Sequence, residues 1–343
     1  MNRAAGILAF LRAAGGQSGP GPGVDAPPDA PGSRHSGAGF VSGDVMASRL
    51  AISRTAVWKV LKQLSAMGYT IETVKGRGYR LVGAPDRLFP WEIGRFLSTR
   101  VVGREIVYRD SVDSTNALAF SLALSGCPEG TCVVAEAQSA GRGRLMRTWQ
   151  SPYGKNLYLS CVLRPTLHPA QVYPLTFISC LAAYDTLRAL GFDARLKWPN
   201  DVLIGSRKVS GTLIELSVEA DSVRFVVIGI GVNINMDEDD MVPEIKDIAT
   251  SLAIEQRKHF ERARVCGMLL GGLETYYEVA RDRGTDALCR LWEERAMIRG
   301  VAMEIRQMDK VHRGIAEGIG PDGAILLREN GTLTRVIAGD VSI

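Results

Sequence analysis

Three absences narrow the reading of this chain before any motif is considered. None of its six cysteines (Cys127, Cys132, Cys161, Cys180, Cys266, Cys289) stands in C-x-x-C spacing. They fall in apolar or helical contexts, so they read as buried thiols of a reducing compartment and not as a disulfide framework or zinc site. No hydrophobic run is long enough for a membrane span; Gly6–Leu11 is too short, and its flanks do not make a signal peptide. The Walker-A pattern G-x-x-x-x-G-K-[ST] is also missing, which excludes a P-loop nucleotide site. The expectation is a cytoplasmic protein with no membrane partner. A net charge of +4 is too mild to demand nucleic acid, so any case for DNA must rest on a local basic patch. With 343 residues, 46% hydrophobic and 23% charged, the chain has the composition of an ordinary globular protein of two or three domains.

Along the chain, residues 2–14 read as a short amphipathic helix carrying Ile7, Leu8, Phe10 and Leu11. Residues 15–38 turn Gly/Pro/Ser-rich and read as a flexible insertion. From Val41 the pattern predicts a helix over 42–50, a turn at 51–53 and a second helix over 54–67, with Ser53 as its N-cap. Strands at 70–74 and 79–81 around Gly76-Arg77-Gly78 complete the order of a winged helix-turn-helix. Its second helix would present Ser53, Arg54, Thr55, Trp58, Lys59 and Lys62, with Lys75 and Arg77 in the wing, which suits phosphate and groove contacts. A helical protein-binding module with a merely solvated basic face is the competing interpretation. After a connector at 82–88, strands and helices alternate to about residue 290, with hairpin-length connections that predict a mixed sheet. From Val301, short strands separated by Gly320-Pro321-Asp322-Gly323 and Asn330-Gly331 predict a small β-barrel.

Three segments carry chemistry. Gly141-Arg142-Gly143-Arg144-Leu145-Met146-Arg147-Thr148-Trp149 joins glycines, which let backbone approach an anion, to arginines that fork onto phosphate or carboxylate oxygens, and then to a flat indole. Lys197-Trp198-Pro199-Asn200-Asp201 reads as a rigid strand end, and Arg207-Lys208-Val209-Ser210-Gly211 adds two cations and a glycine. Activating a carboxylate as an adenylate needs cations around the α-phosphate and a divalent metal on the polyphosphate. Arg142, Arg144, Arg147, Lys197 and Lys208 could supply the first, and Asp201 a contact to Mg²⁺. Read singly, each is ordinary: a solvated Gly/Arg loop, a surface lysine after Gly205, a helix cap at Ser114-Thr115-Asn116, a turn residue at Asn233.

Together, and in this order, the segments resemble those of the bacterial biotin–protein ligases, from about residue 100 to the C-terminus. With the N-terminal head, the resemblance is to the bifunctional ligases that also repress the biotin operon. It implies an α+β chain: a winged helix-turn-helix at 1–82, a class II synthetase-like catalytic domain at 89–296, and an SH3-like β-barrel at 297–343. It implies catalysis by Lys208 and Arg144, and a biotin site of Ser114, Thr115, Asn116, Gln138, Arg142, Lys208 and Gly211. Adenylate contacts would come from Arg144, Arg147, Trp149, Lys197, Asn200 and Asn233. The implied substrates are biotin and ATP with Mg²⁺. The implied partners are the biotin carboxyl-carrier protein of a carboxylase, operator DNA bound through Ser53, Arg54, Thr55, Lys59, Lys62 and Arg77, and a second copy of the chain. A lipoate-type ligase and a ligand-sensing regulator without catalysis are the alternatives. One departure stands out. The family's loop runs G-R-G-R-x-G-R-x-W, sometimes with a further arginine after the fourth residue, whereas this chain carries Leu145 and Met146 there.

Overall fold

The computed structural model describes residues 3–16, 39–307 and 310–342. Most of the Gly/Pro-rich stretch expected at 15–38 lies outside the described residues. Two compact units are present, the first ending at Arg87 and taking in Gly94–Phe96, the second formed by Leu88–Ile93 and the chain from Leu97 onward.

The first unit contains α1 (Arg3–Ala14), α2 (Gly43–Arg49), α3 (Arg54–Ala66) and the hairpin of β1 (Thr70–Val74) and β2 (Gly78–Gly83). Its core is made by Ile7, Leu8 and Leu11 of α1 against Val57, Val60, Leu61 and Leu64 of α3, at helical spacing on each element. Ser53 caps α3 by accepting from the Ala56 N–H at 3.1 Å, and Gly68 takes the positive φ that ends it. Val41 bridges to Tyr79 beside the hairpin, and a side chain at Gly78 would lie 2.2 Å from the Val41 carbonyl oxygen. Helix, helix, then wing is the order the sequence predicts.

The second unit opens with α4 (Pro90–Ile93), β3 (Ile106–Arg109), α5 (Thr115–Leu124), β4 (Cys132–Ala135), β5 (Leu157–Leu163) and α6 (Thr176–Ala189). Then follow β6 (Ala194–Lys197), β7 (Asp201–Ile204), β8 (Arg207–Glu219), β9 (Ser222–Val232), α7 (Leu252–Gln256), α8 (Arg262–Arg283) and α9 (Thr285–Ala296). The strands form one sheet in the order β3-β4-β5-β9-β8-β7-β6, parallel only between β3 and β4. Side-chain parity divides its faces. On one, Val133, Val162, Phe225 and Val227 pack under Ala119 and Ala123 of α5. On the other, Thr212 meets Ser179 of α6 at 2.9 Å. Past α5, the first face is left open where glycines replace side chains.

The strands β10 (Ala302–Gln307), β11 (Lys310–Ile319), β12 (Ile325–Glu329), β13 (Thr332–Val336) and β14 (Asp340–Ser342) build an antiparallel sheet in the order β13-β12-β11-β10-β14. This is the strand-rich C-terminal region the turn signals predict. It is tied to the β6–β7 turn by the Trp198 indole N–H, which donates to the Gly323 carbonyl at 3.0 Å.

Candidate functional site

A cavity of about 490 Å³ lies on the open face of the seven-stranded sheet, within the size range of small-molecule sites. Its lining includes every residue expected at the biotin, adenylate and metal sites: Ser114, Thr115, Asn116, Gln138, Arg142, Arg144, Arg147, Trp149, Lys197, Asn200, Asp201, Lys208, Gly211 and Asn233. Residues scattered over more than a hundred positions thus converge on one space.

The floor is cleared by glycine. Gly211 of β8 is directly opposite Gly231 of β9, and Gly229 points to the same side two residues earlier. A Cβ at Gly231 would lie 2.4 Å from the Trp149 ring, and one at Gly229 2.0 Å from Asn116 Oδ1. The strand therefore needs glycine there to admit an indole and an amide against its backbone. The Trp149 Nε1 hydrogen is buried with no hydrogen-bond partner among the described residues.

At one end the groups are polar and buried. Ser114 caps α5, which brings Thr115 and Asn116 to the cavity at its N-terminus. The Thr115 N–H donates to Gln138 Oε1 at 2.9 Å, and the Gln138 amide donates to Ser151 at 3.0 Å. The Thr115 and Ser160 hydroxyl oxygens are 2.8 Å apart, and Ser160 donates to Asn116 Oδ1 at 2.6 Å. Asn116 in turn donates to Glu215 at 2.8 Å, so its amide is occupied within the protein.

Further along, cations gather. Lys208 Nζ lies 2.6 Å from Asp201 Oδ1 and 5.3 Å from the Trp149 ring centroid. The Asp201 contact is an ion pair by distance, although that oxygen lacks a hydrogen bond of good geometry among the described residues. Lys208 sits inside β8, not in the turn after Gly205, so its backbone is fixed by strand pairing. Arg144 donates to Asn200 Oδ1 at 3.0 Å, while Asn200 donates to the Thr212 carbonyl at 2.6 Å. Arg142 reaches Glu215 at 3.3 Å, and Arg147 pairs with Asp340 of β14. Asn233 donates to the Thr250 carbonyl at 3.0 Å. Lys197, Trp198, Pro199, Asn200 and Asp201 form the tip of the β6–β7 hairpin, not a simple strand end. The far wall is apolar, made by Met236, Ile245, Ile248 and Ala249.

Several of these groups escape sequence reasoning. Ser160 is a lone hydroxyl in the apolar strand β5 and Glu215 one of several polar residues of β8, and neither belongs to a local motif. Gly229-Ile230-Gly231 is a usable signal, since glycines two apart on a strand clear one face. Asp340 joins the site only through the tertiary docking of the C-terminal sheet.

In the first unit, Ser53, Arg54, Thr55, Lys59, Lys62 and Arg77 are all exposed. Ser53 is engaged in capping, Arg54 pairs with Asp44 at 3.0 Å, and Arg77 stacks on Phe40 at 4.4 Å. Trp58 is 53% exposed on the same helix.

Residues 108–233 match the model of the biotin/lipoate A/B protein ligase family, and residues 36–80 match an HTH domain. The chain is 38% identical to the bifunctional ligase/repressor BirA of Bacillus spizizenii, over 90% of this chain and 95% of that protein. It is 30% identical to the Escherichia coli protein of the same name, over 89% of this chain and 93% of that one. The biotin protein ligase from Aquifex aeolicus, solved in complex with biotin and ATP, superposes with a TM-score of 0.59 at 28% identity, covering 70% of this chain and 98% of that one. With this fold, this cavity and these relatives, the chain belongs to the family of the biotin protein ligases, in the branch of the bifunctional ligase/repressors.

Proposed function

We propose that the chain is an ATP-dependent biotin–protein ligase and also a biotin-responsive DNA-binding repressor. The observation that carries the catalytic reading is the single cavity that joins a buried polar end to five cations, Arg142, Arg144, Arg147, Lys197 and Lys208. A neutral polar head with an apolar ring fits the Thr115–Gln138 end, and its carboxylate reaches the cations. A purine fits between Trp149 and the wall of Ile245 and Ile248.

In the first half-reaction the biotin carboxylate attacks the α-phosphorus of ATP and pyrophosphate leaves. Lys208 lies where a point charge can draw the two anions together and hold the developing charge. Arg144, which donates to Asn200 Oδ1, would hold the phosphate of the adenylate. In the second, a lysine amine of the carrier protein attacks the biotinyl carbonyl, the amide forms and AMP departs. Mg²⁺ would enter on the polyphosphate, where it neutralises charge. No group of three or more His, Cys, Asp or Glu suited to a metal exists among the described residues. Asp201, already paired with Lys208, therefore fits as a single carboxylate contact to a phosphate-borne ion.

The second role rests on the exposed basic face of α3. We assign DNA contact to residues 1–82, catalysis to 89–296 and docking of the loop arginine to 297–343. Incubation with ATP, Mg²⁺, biotin and a biotin carboxyl-carrier domain should add one biotin mass to the carrier, only when ATP is present. Lys208→Ala should lower that rate about 10²–10³-fold with the fold retained. A wild-type rate in the variant would remove Lys208 from the mechanism. Transfer of lipoate but not biotin would move the chain to the lipoate-type ligases.

A further inference from the structure

The polar end of the cavity is wired to two residues outside its first layer, and proton accounting fixes what that wiring does. A carboxylate only accepts, so Glu215, 2.8 Å away, must face the NH₂ side of the Asn116 amide. The Leu213 carbonyl, at 3.4 Å from the same nitrogen, demands the same orientation. Asn116 Oδ1 then faces Ser160, and because it has no hydrogen, the one hydroxyl proton of Ser160 must go to it across 2.6 Å. The Thr115 hydroxyl, 2.8 Å from Ser160, must supply the proton of that contact. Gln138 Oε1, 3.1 Å from the same hydroxyl, is the more distant acceptor and also takes the Thr115 N–H, so toward either oxygen the hydroxyl proton is held inside the protein. The result is a one-way chain: Thr115 to Ser160 to Asn116 to Glu215. Ser160 is fully buried and Asn116 and Thr115 nearly so, so no solvent dilutes the ordering. Gly229 makes it sterically possible, because any side chain there would collide with Asn116.

We infer that Ser160 and Glu215 are positioning residues that set substrate specificity, by locking Thr115 as a hydrogen-bond acceptor toward the cavity. This deepens the biotin reading and rests on it. With its proton committed inward, Thr115 offers the ligand only lone pairs. Beside it, Gln138 Nε2 gives one hydrogen to Ser151 and keeps a second that no described residue takes. An acceptor next to a donor is the complement of a cyclic urea, which presents an N–H next to a C=O. A dithiolane ring offers neither, so the chain excludes it by leaving buried polar groups unpaired.

The test is calorimetric titration of the full chain and of Ser160→Ala, Glu215→Leu and Glu215→Gln with biotin, with desthiobiotin and, separately, with ATP. Desthiobiotin keeps the urea but lacks the sulfur ring. Ser160→Ala frees the Thr115 proton, and affinity for biotin and desthiobiotin should fall by the same factor, about 10- to 100-fold. ATP affinity, and the ligation rate at saturating biotin, should stay within about twofold, which a general loosening of the sheet would not allow. Glu215→Gln retains an oxygen for Asn116 and should stay within about threefold of the parent, whereas Glu215→Leu should lose more. Unchanged biotin affinity in Ser160→Ala, or an equal loss for ATP, overturns the relay while leaving the ligase intact. A parent chain that binds no biotin overturns the substrate reading itself, and the urea assignment with it.

Discussion

Leu145 and Met146 sit at φ 54° and 59°, the left-handed region that costs a side-chain-bearing residue about 1–2 kcal/mol. They are 68% and 94% exposed, so burial does not offset that strain. The family's glycine at the position of Met146 has a physical meaning here, because only glycine adopts that backbone freely. The departure is visible in the sequence, but its cost is not, since it depends on a dihedral angle. Met146→Gly should favour this loop conformation, and trypsin should cut at Arg144 and Arg147 about fivefold more slowly, as expected where cleavage follows the open population. Equal or faster cleavage would mean that the loop is not held in this conformation. Lys208 gives the complementary lesson. Its place in a motif is plain from the sequence, but its partner Asp201 and its perch above Trp149 arise only when β7 and β8 pair.

Among elements, the adjoining strands β8 and β9 decide where the cavity lies. β9 is mostly apolar and reads as a strand over 225–232. β8 mixes polar and apolar residues and reads as a strand only over 212–217, short of the Arg207–Gly211 segment that carries Lys208. Which face they bury, and that Gly211 and Gly231 fall opposite one another, follows from register, which no single strand specifies. In the head, α2 and α3 are legible because their caps, Ser42 and Ser53, and their apolar spacing are local signals. The β6–β7 turn reads from the sequence only as a strand end at 197–201, and α9, set off from α8 by Gly284, is not distinguished there. A glycine exchange separates floor from framework. Gly231→Ala puts a Cβ into the Trp149 ring in a strand conformation that alanine tolerates, so the fold should persist while adenylation falls at least about tenfold. Gly271→Ala, inside α8 with open space around the new methyl, should leave the rate unchanged and stabilise the chain by up to about 1 kcal/mol. Similar kinetics in the two variants would dissociate the indole from the nucleotide site.

For the whole molecule, the question is why a ligase carries a winged helix. A chain that both makes biotinyl-AMP and carries an HTH domain with an exposed basic helix can report on demand for biotin. While acceptor lysines are abundant the adenylate is consumed, and when they run out it persists. For that signal to reach DNA, the adenylate-bound form must differ in operator affinity from the empty one, because a ligand shifts an equilibrium only by its differential affinity for the two states. Two copies of the chain related by a two-fold axis would present two recognition helices to a symmetric site, which makes the prediction geometric as well as thermodynamic. Selection from a random duplex pool at fixed salt, with and without biotin plus ATP, should enrich an inverted repeat only in the liganded arm. Lys59→Ala should weaken binding to the selected site and to random duplex alike, and lower the salt slope by about one. Enrichment that is equal in both arms would leave the helix a DNA-binding module but uncouple it from the ligase. Enrichment of a single half-site would argue against a second copy, since one recognition helix reads no symmetry.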